Sequence, residues 1–268
     1  MKALTLLVGS GLAGLVLAQT GFTYRSPKVD PKLIVSGRSG WVELDKKFEV
    51  SGNVRLDSKT DQIVMTGERM TGDLQKEDKK SVANNIRVRG DVAISSVQNN
   101  GFLNITGNEM EYDLLDATFA KAVLRGNVKL DFVAISEKAG DADLTATKIE
   151  ATFKRKVGKD ESALQVLKVD GPLVYKGVSV SEKSRANITA KADRMSYEKK
   201  GDGAEMLLSG NIYFDQKSAD DADSAEVTGA QSVILSLNAK SEVVKVRMNS
   251  EKPDKIVTKI RKKGNTPV

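Results

Sequence analysis

Read by polarity alone, Leu124-Arg125-Gly126-Asn127-Val128-Lys129-Leu130-Asp131 alternates. Leu124, Gly126, Val128, Leu130 and Phe132 share one parity, and Arg125, Asn127, Lys129 and Asp131 share the other. Successive residues of a strand point to opposite faces, so this pattern predicts a β-strand with one apolar and one wet face. Near-copies recur as Val50-Ser51-Gly52-Asn53-Val54-Arg55-Leu56-Asp57, Val88-Arg89-Gly90-Asp91-Val92-Ala93-Ile94, Val169-Asp170-Gly171-Pro172-Leu173-Val174-Tyr175 and Leu208-Ser209-Gly210-Asn211-Ile212-Tyr213-Phe214-Asp215. Their glycines follow one another at 38, 36, 45 and 39 residues, the spacing of a stacked array, so the chain reads as a repeat protein.

A second pattern alternates with the first. In Ile105-Thr106-Gly107-Asn108-Glu109-Met110-Glu111-Tyr112 a small residue precedes large apolar ones at three and five positions, and Ala192-Asp193-Arg194-Met195-Ser196-Tyr197 repeats the spacing. Gly67 with Met70, Ala146 with Ile149 and Ala151, and Gly229 with Ile234 are looser copies. Apolar parity flips after the small residue. A one-residue slip exchanges the two faces of a strand, so the flip predicts a bulge or corner at which the strand turns into a second wall. Polar connectors such as Asp57 to Gln62, Ser95 to Gly101, Ser136 to Asp143, Ser181 to Arg185 and Gln216 to Ser224 read as hairpin turns, and Phe153 to Glu161 as an enlarged one. No helical period extends beyond a turn or two.

The flanks differ from the array. Residues 1–18 join Lys2 to an apolar run from Leu4 to Leu17 and end Val16-Leu17-Ala18, which reads as a secretory leader cut after Ala18. Residues 19–32, with Pro27 and Pro31, read as an extended lead-in, 33–250 as the β-repeat domain and 251–268 as a basic tail. A partial unit opens the array at Trp41, and Val244 to Met248 starts a sixth copy that lacks its glycine.

Composition narrows the chemistry. The chain of 268 residues contains no cysteine and no histidine, so disulfides and Cys/His metal sites are excluded and the commonest general base is absent. Export without cysteine suits a bacterial envelope protein, and the reading calls for no cofactor and no metal. A net charge of +6 favours an acidic partner such as a phosphorylated lipid headgroup.

The Gly-Asn-Val strands at Gly52 and Gly126, the Gly-Asn-Ile strand at Gly210, and the alternating Ala-Asp-x-Met-x-Tyr of Ala192 to Tyr197 resemble the OstA-like family. That family comprises the periplasmic lipopolysaccharide-transport proteins LptA and LptC and the N-terminal domain of LptD. The resemblance spans residues 33 to 250. It implies an all-β jellyroll, or β-taco: antiparallel strands stacked into a V-shaped sheet around an apolar groove. It also implies that the groove shields acyl chains of lipopolysaccharide or another envelope lipid in the periplasm, with protomers or other OstA-like domains joining edge to edge. Strand parity then selects Val54, Leu56, Val92, Ile94, Met110, Tyr112, Val128, Leu130, Met195, Tyr197, Ile212 and Phe214 as groove-lining residues.

Two other classes compete. A scaffold of the cell envelope would use the same apolar faces as a closed, dry core. A glycoside hydrolase would need paired carboxylates, for which Asp141 and Asp143, or Asp220, Asp221 and Asp223, are available, yet these fall in expected loop tips without an aromatic platform. Basic residues interspersed with acidic ones and lacking interleaved aromatics argue against nucleic acid. The sequons at Asn104 and Asn187 fall in expected strands and carry no reading.

Overall fold

A computed structural model describes residues 21–25, 33–43, 46–58, 63–77, 80–98, 101–116, 118–135, 140–154, 163–180, 185–218, 224–237, 243–250 and 256–261. The proposed leader, the acidic cluster at 220–223 and most of the enlarged turn lie outside the described residues. The described residues are all-β, with seventeen strands in one open antiparallel sheet. In order these are β1 Phe22–Arg25, β2 Leu33–Gly37, β3 Ser39–Glu43, β4 Lys47–Ser58, β5 Ile63–Glu77, β6 Lys80–Gln98, β7 Gly101–Leu114, β8 Phe119–Ala134 and β9 Ala142–Lys154. They continue as β10 Ala163–Val180, β11 Arg185–Lys200, β12 Gly203–Ser209, β13 Tyr213–Ser218, β14 Ser224–Thr228, β15 Ser232–Leu237, β16 Val243–Asn249 and β17 Val257–Arg261.

From β4 to β11 each strand pairs with the next as a meander. Every one of these long strands is folded across its middle, so each half belongs to a different wall. The ends of the array make the division explicit, because there the two halves are separate strands. β3 pairs with Lys47 to Ser51 of β4 while β2 pairs with Arg55 to Ser58. At the other end β12 takes Arg194 to Lys200 of β11 and β13 takes Ala186 to Lys191. The first wall continues through β15 and β16, the second through β14 and β17.

The fold line has a local cause. On β4, β6, β8 and β10 the register slips at Gly52-Asn53, Gly90-Asp91, Gly126-Asn127 and Gly171-Pro172, where two residues oppose one, as in a β-bulge. Gly126 and Asn127 both adopt left-handed backbone, with φ of 77 and 49, and the Gly52, Gly90 and Gly210 pairs do the same. Glycine followed by Asn or Asp is the dipeptide best able to place two consecutive residues there. Pro172 cannot follow suit, and in that copy only Gly171 has positive φ, at 94. The facing strands carry a single residue at the line: Glu68, Asn108, Thr147 and Asp193. Asn211 Nδ2 donates to both Asp193 carboxylate oxygens at 3.2 and 3.0 Å, and Thr147 Oγ1 donates to the Asp170 carbonyl at 2.8 Å.

The V-shaped sheet expected from the sequence is therefore present, with a correction about what bends it. The marker strands, read as continuous alternating strands, are themselves folded at Gly-Asn, and the parity flip on β5, β7, β9 and β11 is the matching turn on the partner. Two segments assigned outside the array also join it. β1 lies in the expected lead-in and pairs with β2, and β17 lies in the expected basic tail and pairs with β14. Each supplies an edge strand of the second wall.

Candidate functional site

The inner faces of the two walls are built as cross-strand rows. Nearest the fold line on the first wall, Val50, Met70, Val88, Met110, Leu124, Ile149, Val169, Met195, Leu208 and Val233 stand directly opposite one another on successive strands. The corresponding row of the second wall alternates large and small: Val54, Gly67, Val92, Gly107, Val128 and Ala146. Val50, Val88, Val54, Val92 and Val128 are 0 to 1% exposed, so the two walls meet tightly along the line. Gly67 shows how tightly, since a Cβ there would sit 2.5 Å from Val88 Cγ1 across the fold.

One step farther out the environment changes. The second row of the second wall runs Tyr24, Val35, Leu56, Met65, Ile94, Ile105, Leu130, Leu144, Tyr175, Ala190, Phe214 and Val227. That of the first wall includes Ile86, Tyr112, Ala122, Ala151, Leu167, Tyr197, Met206 and Leu235. At the β4–β5 end this row is closed over, with Phe48 at 2% and Leu56 at 3% exposure. From β6 onward Ile94, Ile105, Tyr112, Leu130, Leu167, Tyr175, Met206 and Phe214 are only half-buried although they face inward and pack on the core. Solvent thus reaches parts of the inner face beyond the first row, while Ile86, Leu144, Ala190, Val227 and Leu235 in the same row are buried.

In the third row of the second wall Ser96, itself buried, and Gln216 stand among Ile63, Leu103, Phe132, Ala142 and Ile188, so the inner face stays largely apolar there. Tyr112 and Phe153 lie on the same wall with ring centroids 6.2 Å apart, over the small Ala120 and Ala122.

Of the twelve residues selected by parity, Val54, Leu56, Val92, Met110, Val128, Met195 and Ile212 are buried core. Ile94, Tyr112, Leu130 and Phe214 pack half-exposed against it. Tyr197 shares their face, between Leu167 and Met206, and is half-buried outside the core cluster. The selection left out Val50, Val88, Leu124, Val169 and Leu208, the first-wall halves of the marker strands, although they share the parity of the second-wall residues on the same strands. Tyr175 was missed too, although its parity with Leu173 could have found it.

The outer faces are wet and charged. Arg87 holds Asp113 through two hydrogen bonds of 2.8 and 3.2 Å, Arg125 pairs with Glu111 at 2.9 Å, and Arg69 with Glu49 at 2.6 Å. Lys121, 2.9 Å from Glu150, is the main influence holding that carboxyl below its ordinary range. Asp143 stands directly opposite Asp131, and the hydrogen bond between the two carboxyls, with their mutual repulsion, raises its pKa. The pair is solvated and on the outer face. Asp141 caps a strand, accepting from the Ala134 N–H at 2.9 Å. Among the described residues no group of three acidic side chains is placed to hold a metal ion. A depression of about 390 Å³ lined by Asn53, Arg55, Glu68 and Asp91 lies outside the fold line, away from the inner face.

Compared with protein-family models, curated proteins and solved structures, the chain matches none of them.

Proposed function

We propose that this protein is a non-enzymatic carrier of acylated lipid in the bacterial periplasm, of the OstA-like kind, holding the hydrocarbon chains of lipopolysaccharide or another envelope lipid between its walls. One observation carries the reading. In the second row of the inner face Ile94, Ile105, Tyr112, Leu130, Leu167, Met206 and Phe214 are large, apolar and only partly buried. A protein core normally removes such surface from water. Each methylene of a lipid chain that covers it contributes about 0.8 kcal/mol. The first row on both walls is apolar along the described strands, so nothing in it fixes a hydrocarbon chain at one position.

The open ends support the second half of the proposal. β1 and β3 at one end, and β16 and β17 at the other, each pair on one side only among the described registers. Such edges are templates for strand addition, here by another copy or another OstA-like domain. The closed β4–β5 region favours a second reading, a dry-cored scaffold.

Mass spectrometry of an organic extract of the natively purified protein separates the two. The carrier reading expects a co-purifying acylated lipid whose recovery falls in the Leu130→Ser variant. A protein that emerges free of amphiphile, and takes none up from micelles, is a scaffold.

A further inference from the structure

The strand period lapses at one place on the second wall. At the ends farthest from the fold line, β7 begins Gly101-Phe102-Leu103 and the chain leaves β8 through Phe132-Val133-Ala134-Ile135, apolar on both parities. On the outer face Val97, Phe102 and Val133 are direct cross-strand neighbours, 48, 48 and 49% exposed, and Ile135 just beyond β8 is 57% exposed. On the inner face of the same ends Leu103 stands opposite Phe132, whose ring lies over Gly101. One row nearer the fold line the outer face is polar again, with Ser95, Asn104, Asp131 and Asp143 opposite one another and Lys129 3.0 Å from Asp131. The doubly apolar zone is thus about two residues deep, roughly 7 Å in an extended strand. The tips of the first wall differ: the turn after β7 exposes Leu115 but follows it with Asp116, and the β11–β12 turn carries Lys199, Lys200 and Asp202.

A docked protein would cover the outer face of these ends and leave the inner one in the groove. The four exposed side chains also offer only roughly 300 Å², well short of the roughly 800 Å² that each partner contributes to a stable dimer. Fluid hydrocarbon can wrap both faces of a thin edge at once, and a depth of roughly 7 Å lies within the roughly 5–10 Å to which interfacial apolar faces sink. We propose that the ends of β6, β7 and β8 form a lip that dips into the surface of a lipid bilayer and lets acyl chains pass from the leaflet onto the inner face. Leu103 and Phe132 lead inward to Ile105 and Leu130 on the same two strands, so the apolar track from the lip is continuous. Asp131 and Asp143 stand beside the lip, so apolar insertion, not attraction to anionic headgroups, drives the docking. The passage of chains rests on the carrier reading, whereas the docking stands without it.

The chain has no cysteine, so a single one introduced anywhere takes a label uniquely. Val133→Cys on the lip and Lys200→Cys at a tip of the other wall each carry a polarity-sensitive dye and are mixed with phosphatidylcholine vesicles, whose neutral surface offers the net charge of +6 no counter-charge. The label at 133 is expected to brighten, shift to shorter wavelength and be quenched by nitroxides on the lipid chains, while the label at 200 stays unchanged. No response at 133, or an equal response at both sites, overturns the docking. A change at 133 that follows protein concentration without vesicles makes the patch a self-association face and overturns it too. Phe102→Thr combined with Val133→Thr alters only exposed side chains, and it should slow transfer of a fluorescent phospholipid from vesicles at least about tenfold while leaving its uptake from micelles unchanged. Unaltered transfer from vesicles, or equal slowing from both sources, overturns the lip as the point of entry. A parent chain that takes up lipid from neither source overturns the carrier reading and the passage of chains with it, and the label at 133 still decides the docking.

Discussion

Adding one methyl group at the fold line, at Gly126 or at Gly107, tests the account of how the sheet bends. Gly126 has φ of 77, and a Cβ there would lie 2.6, 2.8 and 2.9 Å from Nδ2, Cγ and Cβ of Asn108. Left-handed backbone costs an L-residue with a Cβ about 1–2 kcal/mol. The exposed Asn108 must rotate away as well, so Gly126→Ala should lose about 2 kcal/mol, roughly thirtyfold in the folded-to-unfolded ratio. Gly107, on the facing strand, meets only ordinary contacts at 3.4 to 3.7 Å, and Ala146 and Ala192 occupy the same place on β9 and β11. Gly107→Ala should therefore be neutral, or stabilising by up to about 1 kcal/mol through the unfolded chain. Urea unfolding followed by far-ultraviolet circular dichroism reads both from the midpoint, provided the slope is unchanged. Equal losses in the two variants, or a loss at Gly107 alone, would refute the assignment of the bend to the Gly-Asn pair.

Other outcomes follow from the same geometry. Val128→Asp puts a carboxylate at a position 1% exposed and should cost several kcal/mol, abolishing the cooperative melt, whereas Leu130→Ser, two residues outward, should fold and retain less lipid. Asp143→Asn relieves the repulsion from Asp131. A carboxyl with a raised folded-state pKa stabilises fully below its unfolded pKa, and that contribution is lost as pH rises through the folded value, so the variant should gain in Tm at neutral pH and match the parent in acid. Glu150 has the opposite sign, its contribution being present above the ordinary carboxylate pKa and lost as pH falls through the depressed one. Lys121→Gln should therefore reduce the acid sensitivity of Tm. A double-mutant cycle on Arg87 and Asp113, both partly exposed, should return under about 1 kcal/mol despite the two-pronged geometry.

How far the architecture was legible follows from which signals are local. Period-2 alternation and the recurring glycines are properties of single segments, and they sufficed for an all-β stack of antiparallel strands and for the inward set on the second wall. The edge strands β1 and β17 were not legible, because Phe22-Thr23-Tyr24-Arg25 and Val257 to Arg261 are too short to show a period. They become strands by pairing with β2 and β14. The bend in the marker strands was hidden for a different reason. A two-residue bulge restores the parity that a fold interrupts, so Leu124 and Val128 keep the same spacing class in a folded strand as in a straight one.

By itself the sequence determined which side chains face inward and that the chain repeats, since both depend on the fixed two-residue period of an extended backbone. Only the tertiary structure decided which inward residues are sealed and which stay open to solvent. That depends on distance from the fold line and on the angle between walls contributed by every strand at once, and no single segment encodes either.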